Sequence, residues 1–177
     1  MNLLTKTNIK IIELITDEPT YIRDVAEKLN ISPGKVHQAV NLFREKKIIL
    51  EKKQKNRIII ALNKNNILVQ KIKAFLNYTK LVNANSYSSL NKLGEVGLYG
   101  SYNRGTDDKD SDVDLFILTD KKELEIQPII RKLEKEIQRK VNFITLTKNK
   151  IKNIKEKDPE FYIRLKLTST GGEIFEY

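Results

Sequence analysis

Two aspartates separated by a single residue, Asp112 and Asp114, are the side chains of this chain best suited to chemistry. They lie in the run Ser111-Asp112-Val113-Asp114-Leu115, and the residues that follow (Phe116, Ile117, Leu118) are all apolar. A run that is apolar on both faces reads as a buried, central strand. Residues two apart in a strand share a face, so both carboxylates point the same way. Paired carboxylates at such a place are costly unless something positive meets them, and a divalent cation is the natural partner. Magnesium, or manganese in its stead, takes oxygen ligands and is held by one or two carboxylates together with substrate phosphates. Upstream stands Gly100-Ser101. A glycine lets the backbone approach a phosphate closely, and the Ser101 hydroxyl and the amides after it can donate to phosphate oxygens. Arg104 either touches phosphate or pairs with Asp107, Asp108 or Asp110; the sequence leaves both readings open.

Gly100-Ser101, Arg104-Gly105 and Ser111-Asp112-Val113-Asp114-Leu115, in this order and spacing, resemble the DNA polymerase β-like nucleotidyltransferase superfamily, and its minimal members above all. The resemblance covers roughly residues 90–177. It implies that Ser101 holds the triphosphate of a bound nucleotide and that Asp112 and Asp114 hold magnesium or manganese. The implied reaction is attack of an acceptor hydroxyl on the α-phosphate of a nucleoside triphosphate, with pyrophosphate leaving. Two metals about 3.5–4 Å apart would stabilise the entering and leaving oxygens. The family usually carries a third acid on the next strand. That strand reads Lys140-Val141-Asn142-Phe143-Ile144-Thr145, and the matching position is Asn142. Asparagine offers a neutral carbonyl oxygen but cannot serve as a base, and loss of a general base costs about 10²–10⁴ in rate. Glu136 and Glu173 are other acids, but no motif supports either. Minimal transferases of this kind also act as antitoxins that modify a helical partner, so the resemblance admits a toxin-like protein partner.

The elements that would position these residues alternate. Strands are expected at Glu95–Tyr99, Asp112–Leu118 and Val141–Thr147, with a helix at about Lys122–Gln138. One or two helices follow between Lys148 and Leu167, and a last strand is expected at Glu173–Tyr177. That is an α+β or α/β plan, a mixed sheet with flanking helices.

The first 62 residues follow a different pattern. A helix from about Lys6 to Asp17 carries a stripe of Ile9, Ile12, Leu14 and Ile15 and ends at Pro19. Thr20 is expected to cap a second helix, Tyr21 to Leu29, with Ile22, Val25, Ala26 and Leu29 inward. Ser32-Pro33 opens a third, to about Lys47, with Val36, Val40 and Phe43 inward. Ile48–Lys53 and Arg57–Leu62 form a hairpin around Gln54-Lys55-Asn56. Three helices and a β-hairpin in this order resemble a winged helix-turn-helix domain, which implies binding to double-stranded DNA. The third helix would expose Lys35, His37, Gln38, Asn41 and Arg44. Gln and Asn pair with adenine edges and Arg with guanine or phosphate. Lys52, Lys53, Lys55 and Arg57 in the hairpin suit phosphate or minor-groove contact. A solvated surface or a protein-binding module fits the same residues.

Between the two patterns, residues 63–89 are expected to form a connecting helix over 65–82 and a charge-free linker, Asn83 to Ser89. The helix has Leu68, Ile72, Phe75, Leu76 and Thr79 along one side, either as core or as the seam of a homodimer. The net charge of +10 is uneven. Residues 1–62 hold 12 basic and 7 acidic side chains, residues 63–92 hold 5 basic and none acidic, and residues 93–177 hold 16 of each. The excess therefore lies in the first half, which is the half expected to meet a polyanion. The absence of cysteine excludes disulfides and thiolate metal sites. The longest purely apolar run, Ile58 to Leu62, is far too short to span a membrane, and Lys6, Lys10 and Glu13 interrupt any signal-peptide pattern. The abundance of Lys, Ile and Asn suggests an AT-rich prokaryotic genome. The expectation is a soluble cytoplasmic protein with no membrane partner, either a transferase carried by a DNA-binding domain or a DNA-binding regulator with a degenerate transferase domain.

Overall fold

The computed structural model describes residues 2–16, 18–55 and 57–169, without the side chains of residues 167 and 168. The chain divides into two compact units, Met1–Lys73 and Ala74–Tyr177. Among the described residues no helix is long and apolar enough to cross a membrane.

The first unit opens with α1 (Lys6–Thr16), whose buried face is Asn8, Ile11, Ile12 and Ile15. That face is turned from the expected stripe, since Ile9 and Leu14 are only partly covered. Next comes β1 (Thr20–Tyr21) and then α2 (Ile22–Leu29), which buries Val25 and Ala26. Thr20 does not cap α2. It pairs with Ile60, as Tyr21 pairs with Ile59, so sheet bonding claims the backbone that was expected to enter the helix. The chain leaves α2 through Asn30 in the left-handed region. Ser32 caps α3 (Pro33–Glu45) by accepting from the Lys35 amide, with Pro33 at the first helical position. Val36, Val40 and Phe43 are buried as expected, joined by Ala39 and Leu42. The strands β2 (Ile49–Gln54) and β3 (Arg57–Leu62) pair antiparallel from Ile49↔Leu62 to Gln54↔Arg57. Lys55 lies in the turn at φ 53°. With β1 added, the sheet order is β1-β3-β2.

The division between the units falls inside α4 (Ile67–Val82). Ile72 on its expected stripe is buried, whereas Leu68 and Phe75 are exposed. The stretch read as a linker contains α5 (Asn85–Asn91), which buries Ser86, Tyr87 and Leu90. Its amide at Ser86 and its Ser86 hydroxyl both donate to the Glu136 carboxylate, at 3.1 and 2.9 Å. A polar segment thus becomes helical because a distant acid satisfies its first turn.

The second unit continues with β4 (Glu95–Tyr99), α6 (Gly100–Arg104), β5 (Val113–Leu118), α7 (Glu123–Ile137), β6 (Val141–Leu146), α8 (Lys148–Lys157) and α9 (Pro159–Thr168). The strand expected at Glu173–Tyr177 lies outside the described residues. β5 is central, antiparallel to β4 and parallel to β6, so the sheet is mixed and flanked by helices. Alternation along β5 sorts its side chains. Val113, Leu115 and Ile117 join the core with α5 and α7. Phe116 and Leu118 join the other core, with Leu146, Ile151, Tyr162 and Leu165.

Candidate active site

Asp114 is the second residue of β5 and is paired on both sides, with Tyr99 of β4 and Asn142 of β6. It lies on the same strand face as Phe116, the face covered by α8 and α9. Asp112 precedes β5 and lies outside its ladder, so the strand begins one residue later than expected. The two carboxylates nevertheless converge. The Asn142 side-chain amide donates to Asp112 Oδ2 and to Asp114 Oδ1, each at 3.2 Å. Both aspartates are half-buried and Asn142 is exposed, so the group opens to solvent. Among the described residues no third His, Cys, Asp or Glu completes a metal-holding group of three.

Gly100 ends β4 and begins α6 at φ 78°. A Cβ there would overlap Asp114 Oδ2 and sit 3.2 Å from its Cγ. Only glycine permits both the positive φ and the close approach to the carboxylate. Ser101 follows, half-buried, in the first turn of α6. The turn closes through Gly105, left-handed at φ 70°, and the Thr106 amide donates to the Ser101 carbonyl at 3.1 Å. Gly100, Asp112, Asp114 and Asn142 are thus brought together, with Ser101 next to Gly100 in the chain. Arg104 is exposed at the end of α6. Its alternative role as the partner of Asp107 falls to other residues: Asn77 Nδ2 donates to Asp107 Oδ1 at 2.9 Å, and Arg139 lies 3.7 Å from Asp107 Oδ2. Glu136 is committed to Ser86 and takes no part here; Glu173 lies outside the described residues.

Several neighbours were missed from sequence. The Tyr99 ring stacks on Phe116 at 6.3 Å and meets Phe161 edge-on at 6.5 Å. Burial, then the nearby Asp114 charge, raises the Tyr99 hydroxyl above its ordinary pKa, and Arg164 partly offsets the rise. The Arg164 guanidinium lies 5.1 Å above the Phe161 ring. The adjacency of Tyr99 to Gly100 was a usable signal; nothing in the sequence marked Phe161 or Arg164.

In the first unit, Lys35, His37, Gln38, Asn41 and Arg44 are all exposed on α3, and Lys52, Lys53, Lys55 and Arg57 are exposed on the hairpin. Arg44 is not idle, however. Its Nε and NH2 donate to both Glu51 oxygens at 3.0 and 2.7 Å, and its NH1 donates to Asn41 Oδ1 at 2.7 Å. The Glu51 bonds raise the Arg44 pKa above its already high value. The Arg57 guanidinium covers the Tyr21 ring at 5.3 Å, and the Tyr21 hydroxyl donates to Gln54 Oε1 at 3.1 Å.

No curated protein and no solved structure matches the chain. Residues 84–166, the span that holds Gly100, Ser101, both aspartates and Asn142, match the nucleotidyltransferase domain family.

Proposed function

We propose that the chain is a divalent-cation-dependent nucleotidyltransferase whose N-terminal unit is a winged helix that binds duplex DNA. The observation that carries the transferase reading is the convergence of Asp112 and Asp114 on one point, 3.2 Å from an oxygen of each, beside the Gly100-Ser101 turn. Two carboxylates aimed at one point fit a magnesium or manganese ion that completes its shell with water and nucleotide phosphate. A bound ion would neutralise triphosphate charge and polarise the phosphoryl group. The chain's own residues do the rest. Gly100 keeps Cβ atoms away from the carboxylate. Ser101 donates its hydroxyl to a phosphate oxygen, and Arg104, exposed at the far end of α6, adds positive charge for the polyphosphate. An acceptor hydroxyl then attacks the α-phosphate, giving up its proton to water, and pyrophosphate leaves. Asn142 takes no proton, so the reaction runs without a base at that position and is slow by about 10²–10⁴.

The test has two parts. Titration calorimetry of the full chain with magnesium and a nucleoside triphosphate is expected to show binding that Asp112→Asn with Asp114→Asn abolishes. Incubation with labelled nucleotide, magnesium or manganese, and cell extract is expected to yield a labelled product.

A second reading is favoured by one contact. The Asn142 amide satisfies both carboxylates without a cation, as suits a degenerate domain that binds nucleotide, or a helical toxin-like protein, in a DNA-binding regulator. Absence of binding in the calorimetry would sink the transferase and leave the form of this reading in which the domain binds a protein; binding without any labelled product would favour the form in which it binds nucleotide. The winged-helix reading is supported by the order α1, α2, α3, hairpin and by the exposed cations of α3 and the hairpin.

A further inference from the structure

We propose that Arg139 is a positioning residue that sets the orientation of Asp112; this rests on the reading of Asp112 and Asp114 as the cation-holding pair. Asp114 needs no help, since the ladder fixes it between Tyr99 and Asn142. Asp112 stands outside the ladder, at the end of the loop that joins α6 to β5. What fixes that loop fixes Asp112.

Arg139 is the residue that grips it. Its NH1 donates to the carbonyl of Asp108 and, at 3.2 Å, to the carbonyl of Ser111, one peptide before Asp112. Those two residues bracket a turn closed from within: the Asp108 amide donates to Ser111 Oγ at 2.8 Å, and the Ser111 amide to the Asp108 carbonyl at 3.1 Å. The NH2 of Arg139 lies 3.7 Å from Asp107 Oδ2, and the side chains are 12% and 0% exposed. Asn77 Nδ2 holds the other Asp107 oxygen at 2.9 Å and the Tyr102 carbonyl at 2.8 Å. The guanidinium also lies 6.0 Å from the Tyr102 ring centre. Arg139 itself is placed two residues before β6, where the Val113 amide donates to the Lys140 carbonyl at 2.9 Å. One planar fork therefore ties the α7–β6 junction to both ends of the turn that delivers Asp112. A buried acid holds the fork in place. Lysine has a single nitrogen and cannot meet the two carbonyls and Asp107 at once, as NH1 and NH2 of the fork do.

The test uses the full chain as parent, as Arg139→Lys, and as Ile137→Val, a core change at the end of α7 that removes one methyl group and none of these polar atoms, and is expected to lower the melting temperature. Free Mn²⁺ is followed by electron paramagnetic resonance, and the Asn142 side-chain amide by ¹⁵N NMR. Arg139→Lys is expected to weaken Mn²⁺ binding about tenfold, the usual cost of losing an outer-shell partner. It is also expected to move the Asn142 amide signals toward those of a free side chain, and Ile137→Val is expected to do neither. Unchanged signals and Mn²⁺ affinity in Arg139→Lys, or equal changes in Ile137→Val, would overturn the proposal. A parent that binds no Mn²⁺ refutes the cation reading by itself. The Asn142 signals then still decide the positioning role: shifted in Arg139→Lys they uphold it, unshifted they overturn it.

Discussion

At the scale of single residues, an asparagine amide between two carboxylates performs part of the task of a cation: it brings positive partial charge to both, at 3.2 Å from each. Replacing it with a third carboxylate reverses that. Asn142→Asp removes two charge-assisted hydrogen bonds and adds repulsion, and at this exposed position the metal-free protein is expected to lose about 1 kcal/mol of stability. The same change supplies a third anionic ligand, so magnesium should raise the melting temperature of the variant by more than it raises that of the parent. Melting curves with and without magnesium check this; an equal magnesium shift in the two proteins would rule out a shared cation site. The grouping of this candidate site is largely legible in the sequence because it is local. Gly100, Ser101, Asp112 and Asp114 lie within fifteen residues, and Asn142 follows from strand register. Asn77 and Arg139 were not legible. They reach the site through contacts 25 to 31 residues apart in the chain, set by where α4 and α7 end up and by no motif.

Periodicity at the scale of elements succeeded wherever apolar residues dominate and failed where polar groups are satisfied from a distance. α3, the hairpin and the three strands of the second unit have strong apolar patterns and lie close to where they were expected. Threonine is a good cap and favours a helix start at Thr20-Tyr21, but the competing strand partner, Ile59-Ile60, lies far along the chain. The Asn and Ser residues of α5 favour turns in isolation, while Glu136, Tyr87 and Leu90 make it a helix in context. Tyr87 gives α5 a measurable signature. Burial first, then its neighbour Tyr78, pushes its hydroxyl up to about 12. The unfolded chain would lose this proton near pH 10. Between about pH 10 and 12 the unfolded state therefore holds fewer protons than the native state, and stability falls as pH rises through that window. Below it the contribution is fully present. Tyr87→Phe removes the titration, so its denaturant midpoint should decline less steeply than that of the parent above pH 10. Parallel declines would mean that Tyr87 is not held protonated in α5.

The whole molecule pairs a cation-rich beginning with a balanced end, and the arrangement inside the first unit decides what that charge can do. Residues 1–62 carry 12 basic against 7 acidic side chains. Lys52, Lys53, Lys55 and Arg57 project from the hairpin, while Arg44 on α3 is neutralised by both oxygens of Glu51. If this surface meets DNA as proposed, an anion within it would repel phosphate and withhold an arginine able to grip it. The hairpin lysines and Glu51 should therefore act in opposite directions on duplex DNA. Each phosphate contact contributes about 0.9 to the slope of log affinity against log salt. Replacing Lys52, Lys53 and Lys55 together by glutamine should lower affinity across sequences and flatten that slope by up to about 2.7. Glu51→Gln should strengthen binding and steepen the slope by about one, because Arg44 becomes available to a phosphate. Changes at Gln38 or Asn41, which share one face of α3, should instead alter sequence preference. Fluorescence anisotropy of the full chain on labelled duplexes, over a salt series, measures all of these. If the triple variant binds as well as the parent at low salt, the hairpin does not touch DNA. If Glu51→Gln weakens binding, the Arg44–Glu51 pair serves to hold α3 against the hairpin, and the contact surface lies elsewhere on the unit.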